Sequence, residues 1–107
     1  MYIVRRTYKA KLGQARKAAL LLRRVADIYT GSGQRTKCSV YYNGGTLPCP
    51  NDELNRIYMQ WSTETIDSPY RDGNKFPDMG NVYNELKELL DDSDGPTSWI
   101  EFWEEIK

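Results

Sequence analysis

At 107 residues the chain has room for one domain and not for two. Its 39% hydrophobic and 28% charged residues exclude a disordered chain, and no apolar run reaches the roughly 18 residues of a membrane span. Fifteen Lys and Arg balance fifteen Asp and Glu, yet residues 1–37 hold ten of the basic residues against Asp27 alone, and residues 38–107 hold five against fourteen acids.

That split invites a nucleic-acid surface, but an acidic half of such size repels phosphate. Basic and acidic elements of one fold lying side by side account for it more simply. The N-terminus shows no charged-then-apolar signal pattern, and two cysteines, Cys38 and Cys49, are too few for a disulfide framework. A reduced, cytoplasmic protein is the expectation. Eight of the thirteen aromatics are Tyr, a residue suited to semi-polar pockets and interfaces.

Residues 2–10 are rich in β-branched and aromatic types and predict a strand. Leu12-Gly13 breaks it. From Gln14 to about Tyr29 the apolar spacing becomes helical, with Ala15, Ala18, Ala19, Leu22, Val25, Ala26 and Tyr29 on one stripe and Arg16, Lys17, Arg23 and Arg24 opposite. Gly31 and Gly33 supply the stop. Leu20 interrupts the basic face, as single exposed leucines commonly do. Residues 34–43 predict a second strand, and residues 44–52, with two Gly and two Pro, a loop. A third strand is expected from about Leu54 to Thr65, where Ile57, Met59 and Trp61 alternate with Arg56, Tyr58 and Gln60. The connection from Ile66 to Pro77 is long for a small domain, and long ordered loops are often binding loops. Asp78 is a candidate N-cap for a second helix with Met79, Val82, Tyr83, Leu86, Leu89 and Leu90 on its stripe, ending at Asp94-Gly95-Pro96. Asp91, Asp92 and Asp94 lack the spacing and terminal Glu of a Ca²⁺ loop and fit a solvated helix end.

The tail from Thr97 to Lys107 fits either a capped helix or a strand. Topology favours the strand, because the order β-α-β-β-α is completed by a fourth strand into two βαβ units. The expected fold is therefore α+β, ferredoxin-like βαββαβ over residues 1–107, a four-stranded antiparallel sheet with two helices on one face. The other face carries Tyr41, Tyr58, Ile3 and part of the tail's aromatics, and an exposed patch of that kind marks an interaction surface.

The Tyr2-Ile3-Val4-Arg5-Arg6 strand, the Lys11-Leu12-Gly13 lead into the helix and the strand from Arg56 to Thr65 together resemble the dimeric α+β barrel superfamily over nearly the whole length, closest to its NIPSNAP-like and antibiotic-biosynthesis-monooxygenase-like branches. The resemblance implies a homodimer joined through its sheets. Known members include cofactor-independent monooxygenases, isomerases and haem-degrading enzymes, so fold constrains function weakly. This sequence departs from the His-using branches in having no histidine. That removes the usual general base, the usual partner of a catalytic Ser or Cys, and the commonest transition-metal ligand. No phosphate loop or dinucleotide motif is present. No metal, haem or other cofactor is expected, and whether the protein is an enzyme stays open.

Neighbouring residues of a strand point to opposite faces, so one of Arg5 and Arg6 is directed beneath the helices. The more apolar set, Tyr2, Val4, Arg6 and Tyr8, assigns Arg6 there, beside Cys38, Val40 and Tyr42 of strand two and Ile57, Met59 and Trp61 of strand three. A covered cation needs a partner. An internal acid such as Glu101 or Glu105, or a tip reaching the rim, is the structural answer. A ligand anion in an aromatic-lined pocket built from Arg6, Tyr8, Tyr42 and Trp61 is the functional one. Cys38 could gain thiolate character from Arg6, but no His is at hand as base. Three functions follow. The first is binding of a largely apolar or aromatic ligand with an anionic end, by a protein that is a cofactor-free enzyme or only a binder. The second is an RNA-recognition-type module stacking bases on Tyr41 and Tyr58, against which stand the missing Gly-rich aromatic motif and the acidic second half. The third is a structural or regulatory dimer without ligand.

Overall fold

The computed structural model describes residues 1–45, 47–48, 55–66, 71–93 and 95–107. Element order is β1 (Tyr2–Lys9), α1 (Ala15–Gly31), β2 (Ser39–Tyr42), β3 (Arg56–Thr63), α2 (Val82–Glu88) and β4 (Ser98–Glu104). The strands form one antiparallel sheet in the order β2-β3-β1-β4, so β1 and β3 are interior and the tail pairs as a strand along β1. This is an α+β arrangement compatible with a ferredoxin-like fold.

Register fixes which side chains share a face. Val4 lies opposite Trp61 and Phe102, Arg6 opposite Met59 and Ile100, and Tyr8 opposite Ile57 and Ser98. This face meets the helices, because Tyr8, Ile57 and Met59 belong to one buried cluster with Ala18, Leu22, Val25 and Ala26 of α1 and Val82 and Leu86 of α2. Small residues at Ala15, Ala18, Ala19 and Ala26 leave little side-chain bulk between α1 and the sheet. The opposite face carries Ile3, Arg5, Thr7, Tyr58, Gln60, Trp99, Glu101 and Trp103, with Tyr41 opposite Tyr58 at the β2 edge.

The third strand ends at Thr63, two residues before the predicted Thr65, and the larger shifts are in the second strand and the second helix. The second strand starts at Ser39 and not at Gln34. After Ser32, Gly33 takes φ 79° and the Gln34 amide bonds back to Tyr29 O at 3.1 Å, so residues 33–38 turn across the end of α1 before pairing can begin. The second helix is only seven residues long. Asp78 does not cap it. Its carboxylate accepts the Gly80 amide at 2.8 Å in a turn, and Asn81 precedes the helix. The helix ends early because the chain beyond it pairs with the end of β1. Lys11 N donates to Leu89 O, Asp91 N donates to Lys9 O, and Leu90 bridges Ala10. The loop expected over 44–52 lies mostly outside the described residues, as do Cys49, Asp94 and the middle of the 66–77 connection.

Leu22 is 0% exposed at the centre of this core, whereas Leu20 on the same helix is 58% exposed. Leu22→Ala is therefore expected to cost about 2–5 kcal/mol in urea denaturation. Leu20→Ala should stay within about 0.5 kcal/mol of the parent.

Candidate functional site

The covered face is not fully closed by helices. Between the C-terminal end of α1 and the start of α2 a cavity of about 330 Å³ opens over β1. Its floor is Arg6 and Tyr8, its α1 side is Tyr29 and Arg35, and Phe76, Pro77, Met79 and Tyr83 complete it. A smaller hollow of about 90 Å³ adjoins it through the shared Arg35 and Phe76, and reaches Trp61 and Ile100 of the sheet and Arg71 and Asn74 of the long connection. Gln34 Nε2 donates to Lys75 O, tying that connection to the turn after α1.

Two guanidinium groups face this space, with no carboxylate paired to them among the described residues. Arg6 donates from Nη2 to Ser98 Oγ at 3.1 Å, its Nε is buried without a partner, and its guanidinium lies 5.7 Å from the Tyr8 ring centre. The internal acids expected for it are elsewhere. Glu101 belongs to the other face, 4.0 Å from Arg5, and Glu105 is exposed beyond β4. Arg35 lies between two rings, 3.7 Å from the centre of Tyr29 and 4.0 Å from that of Trp61, and Nη1 approaches Met59 Sδ at 3.2 Å. These are cation–π contacts, which partly replace lost hydration without neutralising the charge. Burial pulls the Arg35 pKa below its ordinary value, and the nearby Arg6 charge acts in the same direction. Among the described residues, no ion pair involves either group.

The structure brings Arg6 and Tyr8 together in the cavity and sets Trp61 at its neighbour across Arg35. Tyr42 is not with them. It lies on the helix-side parity but at the edge strand, 44% exposed, in a groove with Leu20, Arg16 and Tyr41 on the far side of α1. Sequence reasoning does not single out Arg35, because residues 34–43 read as a strand, which gives Arg35 no special place. The one pointer was Gly31-Ser-Gly33, a break long enough to start a turn.

Burial raises the Tyr8 pKa from 10 to about 12, with the Arg6 charge opposing it. Its hydroxyl is therefore a proton-bearing group at neutral pH. Cys38 is buried and its thiol is pushed up by burial, against the lowering effect of Thr30 and of the nearby arginines, so it has no thiolate character. Among the described residues no cluster of three or more His, Cys, Asp or Glu is placed to hold a metal, and no helix is long and apolar enough to cross a membrane. The arrangement offers charge, hydrogen-bond donors and aromatic walls. It can hold an anion and stabilise developing negative charge. No protein-family profile matches the chain, and no curated protein is detectably similar to it.

Tyr8 gives a pH signature. The unfolded chain releases this proton near pH 10 and the folded one near pH 12, so its contribution is intact below pH 10 and declines as pH rises towards 12. Between pH 8 and 11 the parent should lose about 1.4 kcal/mol more stability than Tyr8→Phe in paired urea titrations. Equal losses would mean Tyr8 ionises as freely in the folded state as in the unfolded.

Proposed function

We propose that the protein binds a small, largely aromatic organic anion in the cavity over β1, and that it does so as a ferredoxin-like protomer of a homodimer. The observation that carries the ligand reading is the pairing of Arg6 and Arg35 in one aromatic-walled space with no acid among its described lining residues. An unpaired, partly buried cation costs several kcal/mol unless an anion joins it. A cavity of about 330 Å³ is at the lower end of small-molecule sites and suits a compact ligand. Any catalysis there would act by positioning and charge stabilisation, since neither Tyr8 nor Cys38 is set to be a base or nucleophile near neutral pH.

Benzoate tests this reading. It should bind in calorimetry, and Arg6→Met should weaken binding at least tenfold while the melting temperature holds or rises, because an unpaired charge is replaced by an apolar stem. Arg5→Met, on the opposite face, should leave benzoate binding unchanged. No heat of binding at millimolar benzoate, or binding indifferent to Arg6→Met, refutes the site.

The homodimer is supported by the other face. Arg5 donates to Gln60 Oε1 at 3.1 and 3.3 Å and lies 4.5 Å over the Tyr58 ring. Glu101 accepts from Trp99 Nε1 at 2.8 Å and Trp103 Nε1 at 3.1 Å. Arg5 and Glu101 thus find their partners within the face, while the buried Thr7 hydroxyl has none, and Tyr41 at 47% and Trp103 at 53% stay exposed above them. Tyr, Trp and Arg are the residues enriched at the centres of protein interfaces. Light scattering over a concentration series should give about twice 12.4 kDa. A monomer at micromolar concentration that instead binds single-stranded RNA, with loss on Tyr58→Ala, would turn the same face into a base-stacking platform, a reading favoured only by the Tyr41–Tyr58 ring contact at 5.5 Å.

A further inference from the structure

The anion-binding reading leaves the charge of the ligand open, and the geometry narrows it. Arg6 rises from the floor and Arg35 reaches down to it from the α1 side: Arg35 Nη1 meets Met59 Sδ, and Met59 is the residue opposite Arg6 in the β1–β3 register. Each guanidinium is also served differently from an ordinary structural arginine. Arg6 has one hydroxyl partner and a buried Nε with none, and Arg35 has two ring faces and a thioether. One negative charge shared between them leaves net positive charge in a space from which water is partly excluded. Two neutralise both. The remaining polar groups agree, because Tyr8, Tyr29 and Tyr83 bring hydroxyls that can donate, and among the described residues no carboxylate of the lining opposes a second negative charge.

We infer that the ligand is a dianion on a compact aromatic or apolar frame, held by Arg6 and Arg35 together, with Arg35 as the residue that selects two charges over one. Bidentate guanidinium recognition suits both chemical forms of such a dianion, two carboxylates set apart on the frame or a single phosphate monoester. The inference rests on the anion-binding reading and is tested separately from it.

The test compares three ligands of one ring by calorimetry at pH 8: benzoate with one charge, isophthalate with two separated carboxylates, and phenyl phosphate, whose second ionisation near pH 6 makes it a compact dianion there. At least one dianion should bind the parent ten times or more tighter than benzoate, and the better of the two identifies the form. Arg35→Gln should collapse that preference below about threefold, whereas Arg35→Lys should keep part of it by keeping the charge. Benzoate binding as tightly as both dianions would overturn the two-charge inference and leave the anion pocket standing. A dianion preference that survives Arg35→Gln would overturn the role of Arg35. Failure of all three to bind the parent would overturn the pocket and the inference together.

Discussion

A guanidinium on the covered side of an interior strand is the constraint on which the site depends. A side chain at position 6 of β1 must point either under the helices or away from them, and its neighbours Val4 and Tyr8 belong under them. Covering Arg6 fully with apolar helix surface would strand its charge at a cost of several kcal/mol. The structure meets the constraint by leaving that part of the floor open. The tight α1–sheet contact made by the alanines stops short of it, α2 is only seven residues long, and an irregular segment with Phe76 and Pro77 stands where more helix would lie. Ser98 is small enough, and polar enough, to take one of the Arg6 hydrogens.

Arg5 provides the control that nature built into the next position. It has the same side chain on the same strand, yet its hydrogens go to Gln60, Glu101 stands at ion-pair distance, and Tyr58 lies beneath its plane. Every element of that network comes from strands paired with β1: Gln60 and Glu101 lie directly opposite Arg5, and Tyr58 sits one same-face position along, opposite Thr7. The row through Arg6 holds Met59 and Ile100 instead, neither of which can accept a charge-assisted hydrogen bond of any strength. The contrast separates an arginine that organises a surface from one that, among the described residues, has a single hydroxyl partner and a buried Nε without one.

Much of the architecture is legible in the sequence because it is carried by period. Alternation in Tyr2–Lys9 and Arg56–Thr63 fixes strands and their faces, and the Ala15–Tyr29 stripe fixes α1. The tail was ambiguous in itself, since Trp99, Phe102, Trp103 and Ile106 suit a helix as well as a strand, and only its place after β-α-β-β-α decided it. What period cannot supply is lateral position. Tyr42 has the right parity for the covered face, but β2 is an edge strand and α1 lies between it and the cavity. Arg35 shows the converse. Its place depends on a turn after α1 that brings it back over Tyr29, a contact made by backbone geometry at Gly33 and not by any repeating pattern.

The chemistry open to the site follows from the directions in which burial moves its groups. Removing Tyr8 and Cys38 from water favours their neutral, protonated forms, while Arg35, though its pKa is lowered, starts so far above neutrality that it keeps its proton. The three effects share one cause and act together. They leave a space in which the fixed charges are positive and the nearby acidic groups hold their protons as hydrogen-bond donors. On the proposed reading such a space would discriminate among ligands by charge before shape, because an added negative charge would be repaid at two guanidinium groups while an added methyl group would gain only the contact area of one ring face. Selectivity on the proposed reading would therefore reside in Arg6 and Arg35, and the aromatic walls would set how large a frame can bring its charge to them.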